Sequence, residues 1–329
     1  MARVVCKPPR PWRGILQIWI GARRPASSAL NASYVNVSKE FPMKSQQPLP
    51  AHAVDPVPKS ALARPVRVVL LSVSWLFVAA PLLLIGRTAM ADSGGRASGD
   101  ARPTVMLVHG AWADGSSWSD VIARLQARGL RVVSVQNQLN SLADDVAEVN
   151  RALERETQPV VLVGHSWGGT VITQAGTSDK VTALVYIAAF APDVGQSTND
   201  LQAGGPVPGY VPLLQADTAG YLWFPQEVMP SWFAQDIPAP HAMLLAAAQN
   251  PIRAAAFGDA VSAAAWAAKP SWYLVTDDDR MIAPALQRSM ATRIGARVSS
   301  VASSHVPFIS HPKETVAIVL DAVRRVTRP

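Results

Sequence analysis

Residues 160–170 read Val-Val-Leu-Val-Gly-His-Ser-Trp-Gly-Gly-Thr, and no other run constrains the chain as much. Four apolar, mostly β-branched residues make a buried strand. Gly164-His165-Ser166-Trp167-Gly168 then gives a G-x-S-x-G pattern that opens a stretch able to form a helix. A serine there sits at the apex of a sharp strand-to-helix turn, in a strained backbone conformation that presents its hydroxyl. Gly164 and Gly168 lack Cβ atoms, so strand and helix can approach closely. The pentapeptide alone is common. Its setting makes Ser166 a candidate nucleophile rather than an exposed residue of a glycine-rich turn.

The 329 residues carry a formal charge of +7, which taken whole suits a nucleic-acid or membrane surface. The charge is unevenly spread. Residues 1–91 hold 12 Lys and Arg against 2 Asp and Glu, whereas residues 92–329 hold 18 against 21. The basic character belongs to the leader, and no basic stripe with interleaved aromatics follows it, so nucleic acid is not an expected partner. The single cysteine, Cys6, also lies in the leader. The body therefore has no disulfide, thiolate or Cys-ligated metal chemistry, and about 230 residues bury a sufficient core without covalent staples.

Within the leader, Val68 to Gly86 is a nearly uninterrupted apolar run. Lys59, Arg64 and Arg67 precede it, and Ala89-Met90-Ala91 follows. Positive flank, apolar stretch and A-x-A site predict a secretory signal cleaved after Ala91. The run is also just long enough to anchor the chain in a membrane through 68–86, but Pro81 and the small-residue site favour cleavage. Arg23-Arg24 is not followed by an apolar run and makes a poor twin-arginine signal. Residues 1–42 carry scattered Pro, Arg and Ser without periodicity, and Met43-Lys44 opens a more ordinary signal peptide. The expected organisation is a non-native or disordered extension 1–42, a signal peptide 43–91, a linker 92–102 and a folded domain 103–329. A cleaved product has no stable membrane association and is secreted or periplasmic.

From Thr104 the pattern alternates. Strands are predicted at Thr104–Val108, Arg131–Gln136, Val160–Gly164, Val181–Ala188, Ser271–Thr276 and Arg297–Val301. They are short and Val, Leu or Ile-rich, as buried parallel strands are. Helices are predicted at Trp118–Arg128, Leu142–Arg155, Gly169–Thr177, Pro284–Ile294 and Pro312–Val326. Such alternation implies a parallel sheet with helices on both faces. The interval from about 192 to 268 breaks it, with no convincing strand and many Pro, Trp and Ala residues. It reads as an inserted, mostly helical cap. Tyr210, Tyr221, Trp223, Phe224, Trp232 and Phe233 either line a pocket there or form the cap's own core.

A serine hydroxyl needs a histidine base, and the histidine a carboxylate that fixes its tautomer. An apolar strand running into G-x-S-x-G within an alternating chain resembles the α/β-hydrolase fold, where the order is Ser, acid, His. The last two strands run into Asp277-Asp278-Asp279 and into Ser303-Ser304-His305. His305 is the preferred base. His311 precedes Pro312, a helix-start residue, and so belongs at a helix N-terminus. The acid is one of the three adjacent Asp, with Asp193 a remote fourth. His109 and His165 sit on tight strand-end turns suited to structural hydrogen bonds, and His241 lies alone in the cap. Oxyanion stabilisation needs preorganised N–H donors. These fall to Trp167, after the nucleophile, and to Ala111, in the loop after the first strand.

The resemblance narrows further. Val105–Trp118, Gly164–Gly169, Ala188-Ala189-Phe190-Ala191-Pro192-Asp193, Tyr273–Gln287 and Ser304–Pro312 are similar to the branch that includes plant methylesterases and hydroxynitrile lyases. It covers nearly all of 103–327. In that branch the acid lies six residues after the strand aromatic and eight before a Gln, so Tyr273 and Gln287 imply Asp279. Its lyases carry Thr where this chain has Ala111, and Lys where it has Val306. The resemblance therefore implies ester hydrolysis rather than cyanide release. The dehalogenases and epoxide hydrolases of this fold use an Asp nucleophile, which Ser166 disfavours. The implied protein is an exported carboxylesterase for a small ester, needing no metal or cofactor. The rival readings are amide, lactone or C–C bond hydrolysis, perhydrolysis or lyase chemistry, or a non-catalytic small-molecule binding or signalling protein. N-terminal sequencing tests the leader: the precursor is expected to begin at Met43 and the mature chain at Asp92. A precursor beginning at residue 1 or 2 would remove the Met43 start.

Overall fold

The computed structural model describes residues 102–327. The extension 1–42, the signal segment 43–91, most of the linker and Cys6 lie outside the described residues. In chain order the strands are β1 (Thr104–Val108), β2 (Val132–Val135), β3 (Val160–His165), β4 (Val181–Ile187), β5 (Gln215–Ala216), β6 (Tyr221–Trp223), β7 (Ile252–Arg253), β8 (Ser271–Thr276) and β9 (Arg297–Val301). The helices are α1 (Ser119–Gln126), α2 (Leu142–Glu154), α3 (Trp167–Ala175), α4 (Thr198–Gln202), α5 (Met229–Trp232), α6 (Ala239–Ala248), α7 (Pro284–Arg293), α8 (Pro307–Ser310) and α9 (Pro312–Val326). No helix among the described residues is long and apolar enough to cross a membrane.

Six strands pair, all parallel, in the order β2-β1-β3-β4-β8-β9. This is an α/β-hydrolase fold. Helices α1 and α9 pack together over one face, and α2 and α3 pack together over the other. The apolar side chains of β1 and of Val160–Val163 in β3 are 0% exposed. Each such side chain contributes about 1.5–3 kcal/mol by leaving water, which makes these two strands the anchor of the sheet. The last strand departs from the sequence expectation. β9 reads Arg-Val-Ser-Ser-Val and is largely exposed, because it is the sheet's edge and only its partner side is covered.

The order matters for function. The chain leaves β1 towards β2 on one side, then returns to place β3 on the other side of β1. Loops after β1 and β3 therefore diverge and open a crevice at the strands' carboxyl ends, where ligands bind in open α/β sheets.

Residues 192–268 run between β4 and β8. They are not as uniformly helical as the sequence suggests. Short helices α4, α5 and α6 are joined by an antiparallel three-stranded sheet, β5-β6-β7. Strands of two or three residues are too short to leave a period-two signal.

Helix α3 starts the residue after Ser166 and lies against the ends of β1 and β3. A Cβ built on Gly164 would stand 2.5 Å from the Gly168 carbonyl oxygen, and one on Gly168 would stand 2.4 Å from the Val108 carbonyl oxygen. Both obstacles are backbone and cannot move aside cheaply. Gly168→Ala is expected to cost about 1–3 kcal/mol and to lower the melting temperature by roughly 3–10 °C. A melting curve unchanged from wild type would contradict this close approach.

Candidate active site

Ser166 links β3 to α3 with φ 52° and ψ −120°. Its carbonyl accepts from Gly169 N at 2.9 Å and Phe190 N at 3.1 Å, and its own N–H donates to Ile187 O at 3.3 Å. These bonds pin a left-handed backbone that a residue with a side chain adopts only under constraint. The loop after β1 comes close beside it: a Cβ on Gly110 would lie 2.7 Å from Ser166 Cβ. Neither Ala111 N–H nor Trp167 N–H has a hydrogen-bond acceptor among the described residues. Trp112, at φ 58°, donates its indole N–H to Leu222 O of β6 at 2.8 Å and its backbone N–H to Asn250 O at 3.1 Å. The loop carrying Ala111 is thus fastened to the cap.

The strand-end loops after β8 and β9 bring Asp279 and His305 together. His305 Nδ1 donates to Asp279 Oδ2 at 2.8 Å, with both side chains buried. Asp279 is saturated. Its Oδ1 accepts from Met281 N at 2.7 Å and Ile282 N at 3.0 Å. Its Oδ2 also accepts from Thr276 Oγ1 and Gln287 Nε2, each at 2.8 Å. With the imidazole these make five donors, which fix the orientation of the carboxyl group without a Lys or Arg partner. His305 Nε2 is buried with no partner among the described residues. No hydrogen bond joins it to Ser166, and such bonds are commonly long before substrate binds.

The remaining candidates stand elsewhere. Asp277 and Asp278 are exposed, and Asp277 pairs with Arg288. Asp193 is exposed in a turn. His311 occupies the N-cap of α9 beside Ser310, and His241 is exposed on α6. His109 and His165 hold backbone in place: His109 Nδ1 donates to Gly110 O and His165 Nε2 to His305 O, both at 2.9 Å. Among the described residues, no group of His, Cys, Asp or Glu could hold a metal ion.

A pocket opens beside Ser166 and Ala111, walled by Trp112, Phe190, Leu222, Phe257 and Ile282. Asn199 and Gln202 of α4 give it polar atoms, and no charged side chain lines it. Of the six cap aromatics singled out in the sequence, only Tyr210 reaches this wall. Phe224 and Phe233 are core, at 0% and 1% exposure. Burial keeps the Tyr210 phenol neutral by pushing its pKa up.

Two supporting carboxylates left no mark in the sequence. Asp145 of α2 is 0% exposed and accepts from Trp167 Nε1 at 2.7 Å and Leu139 N at 2.9 Å. Burial raises its pKa, against the pull of the indole N–H. Asp236, in the cap, bonds to Ser303 and Ser304. Each looks in sequence like any solvated Asp; what could have found Asp145 is that it shares the buried face of α2 with Val149.

Burial lowers the pKa of His165 well below 6.5, helped by its neighbour His305, and burial likewise lowers that of His109. Below pH 6.5 the unfolded imidazoles take up protons that the folded ones refuse. The unfolded state then binds more protons, so stability falls as pH drops, by up to ~1.4 kcal/mol per pH unit for each group. Urea unfolding at pH 7.5, 6.5 and 5.5 is expected to show this slope, and His165→Asn to make it shallower. Equal slopes in the two proteins would rule out His165 as a source.

Comparison with known proteins bears on the family and the fold. A model of the alpha/beta hydrolase family matches residues 105–318. A probable hydrolase of Phoma sp. is 32% identical over 119 residues, which are 31% of this chain and 49% of that protein. A carbendazim hydrolyzing esterase of Nocardioides sp. is 36% identical over 108 residues, 28% of this chain and 44% of that protein. The chain thus spans about half the length of these curated relatives. The solved structure of a pyrethroid hydrolase from Sphingobium faniae superposes with a TM-score of 0.59 at 23% identity, covering 68% of this chain and 97% of that one. With a parallel sheet, a strained serine between β3 and α3 and a family match over most of its described length, the chain belongs to the alpha/beta hydrolase family.

Proposed function

We propose that this chain is an exported serine hydrolase that cleaves small uncharged esters through Ser166, His305 and Asp279. The observation that carries the reading is the buried 2.8 Å contact between His305 Nδ1 and Asp279 Oδ2. It holds the imidazole proton on Nδ1 and leaves Nε2 basic. In the proposed reaction Nε2 takes the proton of Ser166 Oγ as that oxygen attacks the ester carbonyl. The N–H groups of Ala111 and Trp167 receive the oxyanion. His305, its positive charge balanced by Asp279, passes the proton to the leaving alcohol. Water then releases the acyl group by the same route.

The charge-free pocket wall supports a neutral, largely apolar substrate, since an ionic group would be desolvated there without a partner. Ala111 and Val306, where lyases of the related branch use Thr and Lys, support hydrolysis over cyanide release. The relatives named as an esterase and a pyrethroid hydrolase support the reaction class. Export rests on the signal-like segment ending at Ala91.

A series of p-nitrophenyl esters tests the reading. Wild type is expected to turn them over, preferring apolar acyl groups to charged ones. Ser166→Ala is expected to lose roughly four to six orders of magnitude in kcat. Ligand binding without turnover at any acyl length would favour a binding protein on this fold.

A further inference from the structure

One short stretch of the cap bonds to both loops that carry the buried polar pair. Arg280 Nη1 donates to Ser231 O at 2.6 Å, and Gln235 Nε2 donates to Asp278 O at 2.7 Å. Asp236 Oδ2 accepts from Ser304 N at 2.9 Å and Ser303 Oγ at 3.0 Å. Between these points Phe233 lays its ring 5.2 Å from that of His305, at 70°. Residues 231–236 thus hold the neighbours of Asp279 on both sides and the two residues immediately before His305.

We propose that Asp236 is a positioning residue for the reaction: the cap delivers its carboxylate to the backbone of Ser304 and thereby sets the place of His305 relative to Ser166. The inference rests on the reading of Ser166 as nucleophile and His305 as base. The Asp279 contact fixes one ring nitrogen, and His165 holds the His305 carbonyl. The bond to Asp236 fixes the residue before His305 and so sets the direction from which the loop presents the imidazole. Ser303 and Ser304 are both 0% exposed. Without Asp236 the Ser304 N–H is a buried donor lacking its acceptor, so the loop must shift to find another, and His305 shifts with it. Asp236 is fitted to this task. Burial alone would raise its pKa, but the donors from Ser304, Ser310 and Ser303 hold it below the usual carboxylate range. His311 Nδ1, 3.8 Å away, is the one cation-forming group paired with it among the described residues.

The test measures kcat, KM and melting temperature of wild type, Asp236→Ala, Asp236→Asn, Asp236→Glu and Ser166→Ala on one ester. Asp236→Ala is expected to lower kcat by about 10- to 100-fold with KM within about threefold of wild type. Asp236→Asn keeps an oxygen for the Ser304 N–H and is expected to recover most of kcat. Asp236→Glu keeps the charge but overreaches, and is expected to do worse than Asn; this comparison still decides if the alanine variant does not fold. The proposal is overturned if Asp236→Ala retains kcat within about threefold. It is equally overturned if Glu outperforms Asn, or if kcat falls only in step with melting temperature. A fully active Ser166→Ala overturns the underlying reaction, which is a separate failure from a neutral Asp236→Ala beside an inactive Ser166→Ala.

Discussion

The strained backbone of Ser166 is the constraint on which the rest of the structure depends. A non-glycine residue at φ 52° and ψ −120° costs on the order of 1–3 kcal/mol and persists only where its surroundings over-determine it. Here they do. Four apolar side chains of β3 are fully buried before it, α3 begins directly after it, and two N–H groups converge on its carbonyl. Burial of Val160–Val163 alone outweighs the strain several-fold, at about 1.5–3 kcal/mol per side chain. The sheet order then makes the position useful, because the β1 and β3 loops part at the place where the serine points.

Much of this was legible in the sequence, for physical reasons. Strands β1 and β8 fall where short buried runs after Pro103 and Pro270 put them, and helix α9 follows its helical periodicity from Pro312; β9 matches in its bounds but not in burial. The two loops following β8 and β9 also meet as the strand order requires. Residue type did not separate Asp279 from its two neighbours; only the resemblance, through the spacing from Tyr273 and Gln287, implied it. Residue type is identical at all three positions, and only the fold turns one inward and leaves two exposed. The cap was least legible. Its sheet depends on pairing between Tyr221–Leu222 and Ile252–Arg253, thirty residues apart, which no local periodicity encodes.

Three carboxylates around the site show how burial and donor count assign different tasks to one side chain. Asp279 takes five donors and faces the imidazole. Asp145 takes the indole of Trp167 and steadies the first turn of α3 from beneath. Asp236 takes a backbone N–H and a hydroxyl from the loop before His305. None of the three has a Lys or Arg partner among the described salt bridges; oriented N–H and O–H dipoles make most of their contacts, with His305 on Asp279 and His311 3.8 Å from Asp236. Dipoles fixed in backbone and short side chains keep their direction better than a flexible cation does, which suits groups whose geometry matters more than their net field.

The hydrogen bond from the Trp112 indole to Leu222 O spans 110 residues of sequence and ties the loop of Ala111 to the small sheet of the cap. The cap is therefore not a modular lid. Exchanging it for that of a relative would also remove the carbonyl against which the Trp112 ring is registered. One indole thus couples the placement of residues 110–113 to that of the cap sheet. A transplantable unit in this fold has its natural boundary around that loop together with β5-β6-β7, rather than at the ends of the inserted segment.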